Sequence, residues 1–192
     1  MTQVKKENTY KLITLGDSQV GKSSFLRRYV NKHYTEHFTC TIGCDFHSKI
    51  FADFPDEEAR KIYLWDTAGQ ERHSDACIQF FSLSERKSFE NVGNWVAELE
   101  KNSSDNISKI LMGCKSDLVE RREVSFEEGQ KLAESFGMQY VETSAKTGEG
   151  VEEAMKIFTK EIFSKPSINS IAMQIKRVQD QPTINNNYTC NC

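Results

Sequence analysis

Apolar residues in the first third of the chain alternate between strand-like and helix-like spacing. Residues 10–15 alternate as in a strand, and the apolar residues of 25–30 fall on one helical face. Residues 44–50 and 60–65 also have strand patterns, and the Phe-Pro-Asp turn at 54–56 between them predicts a hairpin. Because later strands are separated by helical patterns, we expect an α/β fold with a mostly parallel sheet.

The rest of the chain carries three further helical patterns. An apolar stripe runs from residue 89 to residue 99, and another runs from 151 to 162. Between them, Ser125 and Glu128 form a capping box that predicts the start of a helix. We assign these apolar positions to the core rather than to a cofactor. The candidate strands in this part are residues 76–81 and 110–112.

Composition limits the domain number and the kinds of partner. A chain of 192 residues with 38% apolar content fits one domain plus a tail. We expect an N-terminal extension at 1–7, a domain at 8–165 and a flexible tail at 166–192. A net charge of −3 provides no basic surface for nucleic acid. The chain shows neither a membrane-spanning apolar run nor a secretory core segment, so we expect a cytosolic protein. Its six cysteines lack paired spacing in the body of the chain, which agrees with a reducing compartment.

The segment at 16–24 matches the pattern G-x-x-x-x-G-K-[ST] between a predicted strand and a predicted helix. In such a loop, main-chain N–H groups surround phosphates, Lys22 reaches the outer two, and the Ser23 hydroxyl binds magnesium. The alternative is an ordinary glycine turn, which the strand–loop–helix context disfavours. The predicted phosphate-binding residues are Ser18, Gln19, Val20, Gly21, Lys22, Ser23 and Ser24.

A second candidate element, WDTAGQER at 65–72, follows the third predicted strand. Ligands of open α/β sheets bind beyond the carboxyl ends of the strands, so Asp66 should face the phosphate loop. We expect Asp66 to hold the metal, through a water molecule. Taken alone, the segment could equally be a capped loop.

The third element, CKSD at 114–117, follows a predicted buried strand. The Asp117 carboxylate can accept hydrogen bonds from the N1–H and amino group of guanine, whereas adenine offers no such donor pair. This favours GTP over ATP. The methylene stem of Lys115 can lie along the base. The residues expected to close the far side of the pocket are Ser144, Ala145 and Lys146.

Together these segments resemble the small GTPases of the Ras superfamily, and specifically the Rab branch. The resemblance covers nearly all of residues 8–165. Its Rab-like marks are TIGCDF at 41–46, WDTAGQER at 65–72 and ETSAK at 142–146. The resemblance implies the small-GTPase P-loop fold, with a six-stranded, mostly parallel sheet flanked by helices.

The resemblance also implies roles for individual residues. Thr41 would join Ser23 as a direct magnesium ligand and sense the γ-phosphate. Gly69 would donate a main-chain N–H to that phosphate, and Gln70 would orient the attacking water. Tyr34 would lie against guanine, as would Cys114. No arginine is evident in cis for the transition-state charge, so the expected hydrolysis of GTP to GDP and phosphate is slow and depends on an activating protein.

The tail ends in a C-x-C triplet formed by Cys190 and Cys192. Similarity to Rab proteins implies two geranylgeranyl groups there, which give stable membrane attachment where one gives marginal binding. The alternative is a metal-binding or incidental cysteine pair. The partners implied are an exchange factor, a GTPase-activating protein, Rab escort protein, geranylgeranyl transferase, a GDP-dissociation inhibitor and trafficking effectors. We expect a monomer in the cytosol and on the cytoplasmic face of intracellular membranes.

Two features depart from the family pattern. Cys114 stands where Rab proteins have an asparagine that reads the base, and its thiol lacks the paired donor and acceptor of an amide. The segment between Arg72 and the strand at 76–81 is shorter than in Rab-like proteins, so we expect the second-switch helix to be missing or shortened. The alternative function is therefore a degenerate scaffold that binds nucleotide without switching.

Overall fold

A computed structural model describes residues 8–36, 45–51, 59–66, 74–103 and 107–166. The strands in these ranges are β1 (Asn8–Leu15), β2 (Asp45–Phe51), β3 (Arg60–Asp66), β4 (Ala76–Ser82), β5 (Ser108–Cys114) and β6 (Gln139–Thr143). The helices are α1 (Lys22–Asn31), α2 (Arg86–Glu90), α3 (Val92–Asn102), α4 (Phe126–Ser135) and α5 (Val151–Ser164), with a 3₁₀ turn at Val119–Arg121. None of these helices is long and apolar enough to cross a bilayer.

The strands form one sheet in the order β2-β3-β1-β4-β5-β6. β2 runs antiparallel to β3, as the predicted hairpin requires, and every other pair is parallel. The six-stranded, mostly parallel sheet is therefore confirmed. Since β1 lies in the middle, the loop after Leu15 is placed beyond the carboxyl end of the sheet, where ligands bind in such folds.

Apolar side chains cover both faces of the sheet. One cluster joins β1, β3, β4 and β5 to α1 and α5, and within it the fully buried rings of Phe25 and Phe80 are 5.3 Å apart. On the opposite face, Phe81 packs with Val92 and Val96 of α3. The helical stripes predicted for α1, α3 and α5 thus provide the buried faces of these helices.

The predicted capping box begins α4. The Ser125 hydroxyl accepts a hydrogen bond from the Glu128 N–H at 3.2 Å, and the Glu128 carboxylate accepts from the Ser125 N–H at 2.9 Å. These bonds satisfy two main-chain donors that the first helical turn leaves without partners.

The connection from β3 to β4 is short and is fixed at its far end. The Asp75 carboxylate accepts the Lys11 N–H at 2.7 Å, while the Asp75 N–H donates to the Lys11 carbonyl at 2.9 Å. These bonds hold the start of β4 beside β1. Residues 67–73 lie outside the described residues, so the missing second-switch helix stays a prediction.

Candidate functional site

The loop between β1 and α1 passes very close to β4. Gly16 has φ +134°, and a Cβ built there would lie 2.3 Å from the Phe80 carbonyl oxygen. Gly21, at φ +118°, directly precedes α1. Both glycines adopt left-handed conformations that other residues rarely take. The two glycines of the sequence motif therefore shape the loop, and the first also permits its contact with the sheet.

Lys22 folds back across this loop. Its Nζ donates to the Gly16 carbonyl at 2.8 Å and to the Asp17 carbonyl at 2.6 Å. Burial lowers the pKa of Lys22, and the nearby Asp66 and Asp17 carboxylates partly oppose that shift. A bound phosphate would add further negative charge and favour the charged ammonium.

The other predicted phosphate-loop residues differ in exposure. Ser18 and Gln19 are exposed, and Gln19 has φ +65°. Val20 is fully buried, so its side chain belongs to the core and only its main chain is available to a phosphate. Ser24 lines the cavity described below.

Ser23 and Asp66 meet across the junction of α1 and β3. The Ser23 hydroxyl donates to Asp66 Oδ2, and the Thr14 hydroxyl donates to Asp66 Oδ1 at 3.2 Å. Asp66 is only 3% exposed. A hydroxyl beside a nearly buried carboxylate supplies the hard oxygen donors that magnesium prefers, so these residues fit the ion. Sequence reasoning missed Thr14, whose only signal is that it is the one polar residue among the apolar residues at 12–15.

A cavity of about 150 Å³ lies beside the end of the phosphate loop. It contains most of the predicted guanine-binding residues, together with two phosphate-loop residues and Leu118. Its lining residues are Gly21, Ser24, Tyr34, Cys114, Lys115, Asp117, Leu118, Ala145 and Lys146.

Ser144 lies behind Asp117 and is not among the residues that line this cavity. Its hydroxyl donates to Asp117 Oδ1 at 2.6 Å and accepts the Thr147 N–H at 3.1 Å. Ser144 thus orients the carboxylate that we predicted to read the base. A carboxylate offers about four acceptor sites, so this bond leaves capacity for a ligand.

Cys114 ends β5 and is 4% exposed. Its Sγ lies 3.9 Å from Thr143 Oγ1 and would be 3.6 Å from a Cβ built on Gly21. Burial raises the pKa of the Cys114 thiol to about 12, so the group is neutral at physiological pH. It packs as a small side chain between the phosphate loop and β6.

Contacts missed by sequence reasoning support the outer part of the cavity. Arg28 of α1 donates from Nη2 to the Thr147 carbonyl at 2.9 Å, which ties α1 to the loop after β6. Lys146 forms an ion pair with Glu36 at 3.2 Å. Neither Arg28 nor Glu36 belongs to a motif, so only the folded chain reveals them.

The described residues thus bring together a phosphate-type loop, a hydroxyl–carboxylate pair and a cavity with an oriented carboxylate. The Ras family model matches residues 11–164 of the chain. The chain belongs to the Ras family of small GTPases. Members of this family hydrolyse GTP, typically with the help of an activating protein.

Curated relatives place this GTPase with the Rab type. It is 36% identical to Ras-related protein RIC1 of Oryza sativa subsp. japonica, over 94% of the chain and 96% of the relative. It is 35% identical to Ras-related protein RABD2a of Arabidopsis thaliana, over 94% of the chain and 95% of the relative. GTP-binding protein ypt2 of Schizosaccharomyces pombe is 40% identical, over 79% and 80% respectively. The predicted family is confirmed.

Three predicted site residues of this GTPase lie outside the described residues. They are Thr41, to which the resemblance gives a role at the metal and the γ-phosphate, Gly69, which it places at the γ-phosphate, and Gln70, which it places at the attacking water. The lipidation residues Cys190 and Cys192 also lie outside them. These assignments stay predictions.

Proposed function

We propose that this Rab-type GTPase binds GTP and GDP with magnesium and acts as a membrane-anchored switch in vesicle trafficking. The observation that carries the proposal is the position of Lys22, the Ser23–Asp66 pair and the cavity bearing Asp117. All lie at the carboxyl end of one sheet, where α/β folds bind nucleotides.

The phosphate half of the site uses charge and main-chain donors. Main-chain N–H groups in the loop and at the N-terminus of α1 would bind the phosphates, and Lys22 would supply a positive charge. When bound, magnesium would supply positive charge that offsets the charge of the phosphates. Ser23 and Thr41 would hold it directly, and Asp66 would hold it through water.

The base half of the site relies on one carboxylate and on the shape of the cavity. Asp117, oriented by Ser144, accepts from the N1–H and amino group of guanine. The stem of Lys115 and the ring of Tyr34 line the cavity and would cover the base. Cys114 provides no amide where Rab proteins have an asparagine, so the base would be held by fewer hydrogen bonds than in those proteins.

Hydrolysis requires residues beyond the described part of the site. In this proposal Gln70 orients the attacking water, while Gly69 and Thr41 contact the γ-phosphate. An arginine supplied by an activating protein would stabilise the transition-state charge. We therefore expect slow intrinsic hydrolysis and strong acceleration by an activator.

Membrane attachment rests on Cys190 and Cys192 in the tail at 166–192, which we propose carry two geranylgeranyl groups. Two chains hold a protein stably on a bilayer. The partners in this cycle would be an exchange factor, an activating protein, an escort protein with its prenyl transferase, a GDP-dissociation inhibitor and effectors. A tagged chain should leave cytoplasmic membranes when both cysteines become serine.

Nucleotide content and competition test the proposal. The chain, purified with magnesium, should release GDP or GTP on denaturation, and unlabelled GDP should displace fluorescent mantGDP far better than ADP does. The proposal would be refuted if the folded chain retained no guanine nucleotide, or if ADP displaced mantGDP as well as GDP does. A single-turnover assay with a broad-specificity activating protein then tests hydrolysis separately.

A further inference from the structure

The Asp17 side chain is held at the start of α3, by the N-cap residue Asn91 and by Trp95. Asp17 Oδ2 accepts from Asn91 Nδ2 at 2.7 Å, and Asp17 Oδ1 accepts from Trp95 Nε1 at 2.7 Å. Both carboxylate oxygens therefore have a short, charge-assisted hydrogen bond to the same helix region. We call these three residues the loop clamp.

The loop clamp acts on the residue whose main chain contacts the phosphate-binding lysine. The Asp17 carbonyl accepts the Lys22 ammonium at 2.6 Å, while the Asp17 carboxylate is tied to Asn91 and Trp95. One residue thus connects the lysine inside the loop with a helix outside it. A change in the position of α3 would shift the carbonyl that helps to place Lys22.

Trp95 is itself fixed by packing. Its ring packs against an apolar cluster that includes Ile13 and Leu15 of β1 and Leu99 of α3. Trp65 packs against the same cluster and directly precedes Asp66 in β3. The clamp is therefore attached to an apolar cluster that also contacts the strand bearing the metal-site carboxylate.

Two neutral donors suit a carboxylate at this position. A negative charge close to bound phosphates would repel them, and a lysine or arginine partner would compete with the phosphates for charge. An amide and an indole bind the carboxylate and add no ionic competitor. The arrangement is consistent with a structural tether rather than with a direct phosphate or metal ligand.

We propose that Asp17 is a positioning residue for nucleotide phosphates: through Asn91 and Trp95 it fixes the loop carbonyls that hold Lys22, and thereby slows nucleotide release. This inference rests on the proposed binding of guanine nucleotide. It assigns to α3 a direct part in holding the phosphate loop.

A double-mutant cycle tests the clamp through the rate of mantGDP release in magnesium. Asp17→Asn keeps the size of the side chain but replaces one acceptor with a donor, and it should accelerate release about tenfold. Trp95→Phe should also accelerate release. The double variant should release nucleotide no more than about twofold faster than Asp17→Asn alone, because the two changes disrupt the same interaction. Glu98→Gln, an exposed carboxylate-to-amide change on α3, is the matched control and should leave the rate unchanged.

A spectroscopic readout separates positioning from general stabilisation. The chain contains two tryptophans, so Trp65→Phe assigns the indole N–H signals in a ¹H–¹⁵N spectrum. The Trp95 indole N–H should shift when GDP and magnesium are added, and Asp17→Asn should abolish that response. A melting temperature measured for each variant records any effect on folding.

The outcomes divide cleanly. A wild-type chain that retains no GDP overturns both this inference and the proposed function. If the wild type retains GDP and Asp17→Asn releases mantGDP at the wild-type rate, the clamp alone is overturned. The same holds if Asp17→Asn lowers the melting temperature without accelerating mantGDP release. If Asp17→Asn does not fold, Trp95→Phe and Asn91→Ala decide, and release within about twofold of wild type from both overturns the clamp.

Discussion

The phosphate half and the base half of the site are held together in different ways. On the phosphate side, Lys22 and Ser23 are bonded to groups from the loop and from β3. On the base side, Asp117 is oriented by one hydrogen bond from Ser144, and a buried thiol takes the adjoining position. If the proposed function holds, phosphate binding would depend on one lysine and on groups that the loop and β3 hold in place, whereas base recognition would depend on a single oriented carboxylate.

The largest effect is expected from Lys22→Ala. This change removes the half-buried ammonium of the phosphate half, and we expect mantGDP affinity to fall by about 100-fold or more, since charge-assisted hydrogen bonds contribute about 1.5–3 kcal/mol each. The measurement is equilibrium titration with mantGDP. Lys101→Ala, at a lysine side chain that is 74% exposed, is the control and should bind normally. Normal mantGDP affinity in Lys22→Ala would show that the phosphate half does not contribute most of the binding free energy.

The next effect should come from Asp117→Asn, which breaks the base half alone. An amide cannot accept from both guanine donors, so GDP affinity should fall about 10- to 100-fold. The same amide can donate to the second carbonyl of xanthine, so xanthosine diphosphate should compete better than before. Competition against mantGDP measures both changes, with Glu149→Gln as the exposed control. Unaltered base preference would remove Asp117 from the role of reading guanine.

A smaller, opposite effect is expected from Cys114→Asn. The added amide can donate and accept beside the base, and Thr143 Oγ1 offers it a further partner near the present Sγ. GDP release should therefore slow about several-fold. Cys114→Ser is the control, because it makes the side chain polar without adding an amide, and its GDP release should stay near that of the wild type. An unchanged rate in Cys114→Asn would mean that the cysteine does not weaken base binding.

The smallest effect lies outside both halves of the site, at Glu128. The Arg86 guanidinium at 2.6 Å, and then the Ser125 N–H, lower the pKa of Glu128 to about 2. A lowered folded-state pKa stabilises the fold above the carboxyl's ordinary pKa, and this contribution is lost as pH falls toward about 2. Glu128→Gln should lower the melting temperature at pH 7 and should no longer differ from wild type near pH 2. Nucleotide affinity should stay unchanged at pH 7, and a loss of affinity would show that the two halves depend on this distant pair.

Much of the site could be predicted because its signals are local. The glycines and Lys22 of the phosphate loop lie within a few residues, and the capping box at Ser125 spans a single turn. Asp66 and Asp117 could be placed because each follows a predicted strand, and parallel strands end at one edge of the sheet. The hydrogen bond from the Ser144 hydroxyl to Asp117 could not be predicted, because the two residues are 27 positions apart and no local pattern links them.

Spacing and motif order along the chain were enough to predict most strands and helices, the mostly parallel sheet and the family, because these signals are local. They did not indicate the separate helix α2, and the roles of the site residues stay predictions. Three contacts became visible only in the folded chain: Thr14 bonds to Asp66, Arg28 ties α1 to the loop after β6, and Asp17 is bound by Asn91 and Trp95. The physical reason is distance along the chain: these hydrogen bonds join residues that only the strand order and helix packing bring within reach.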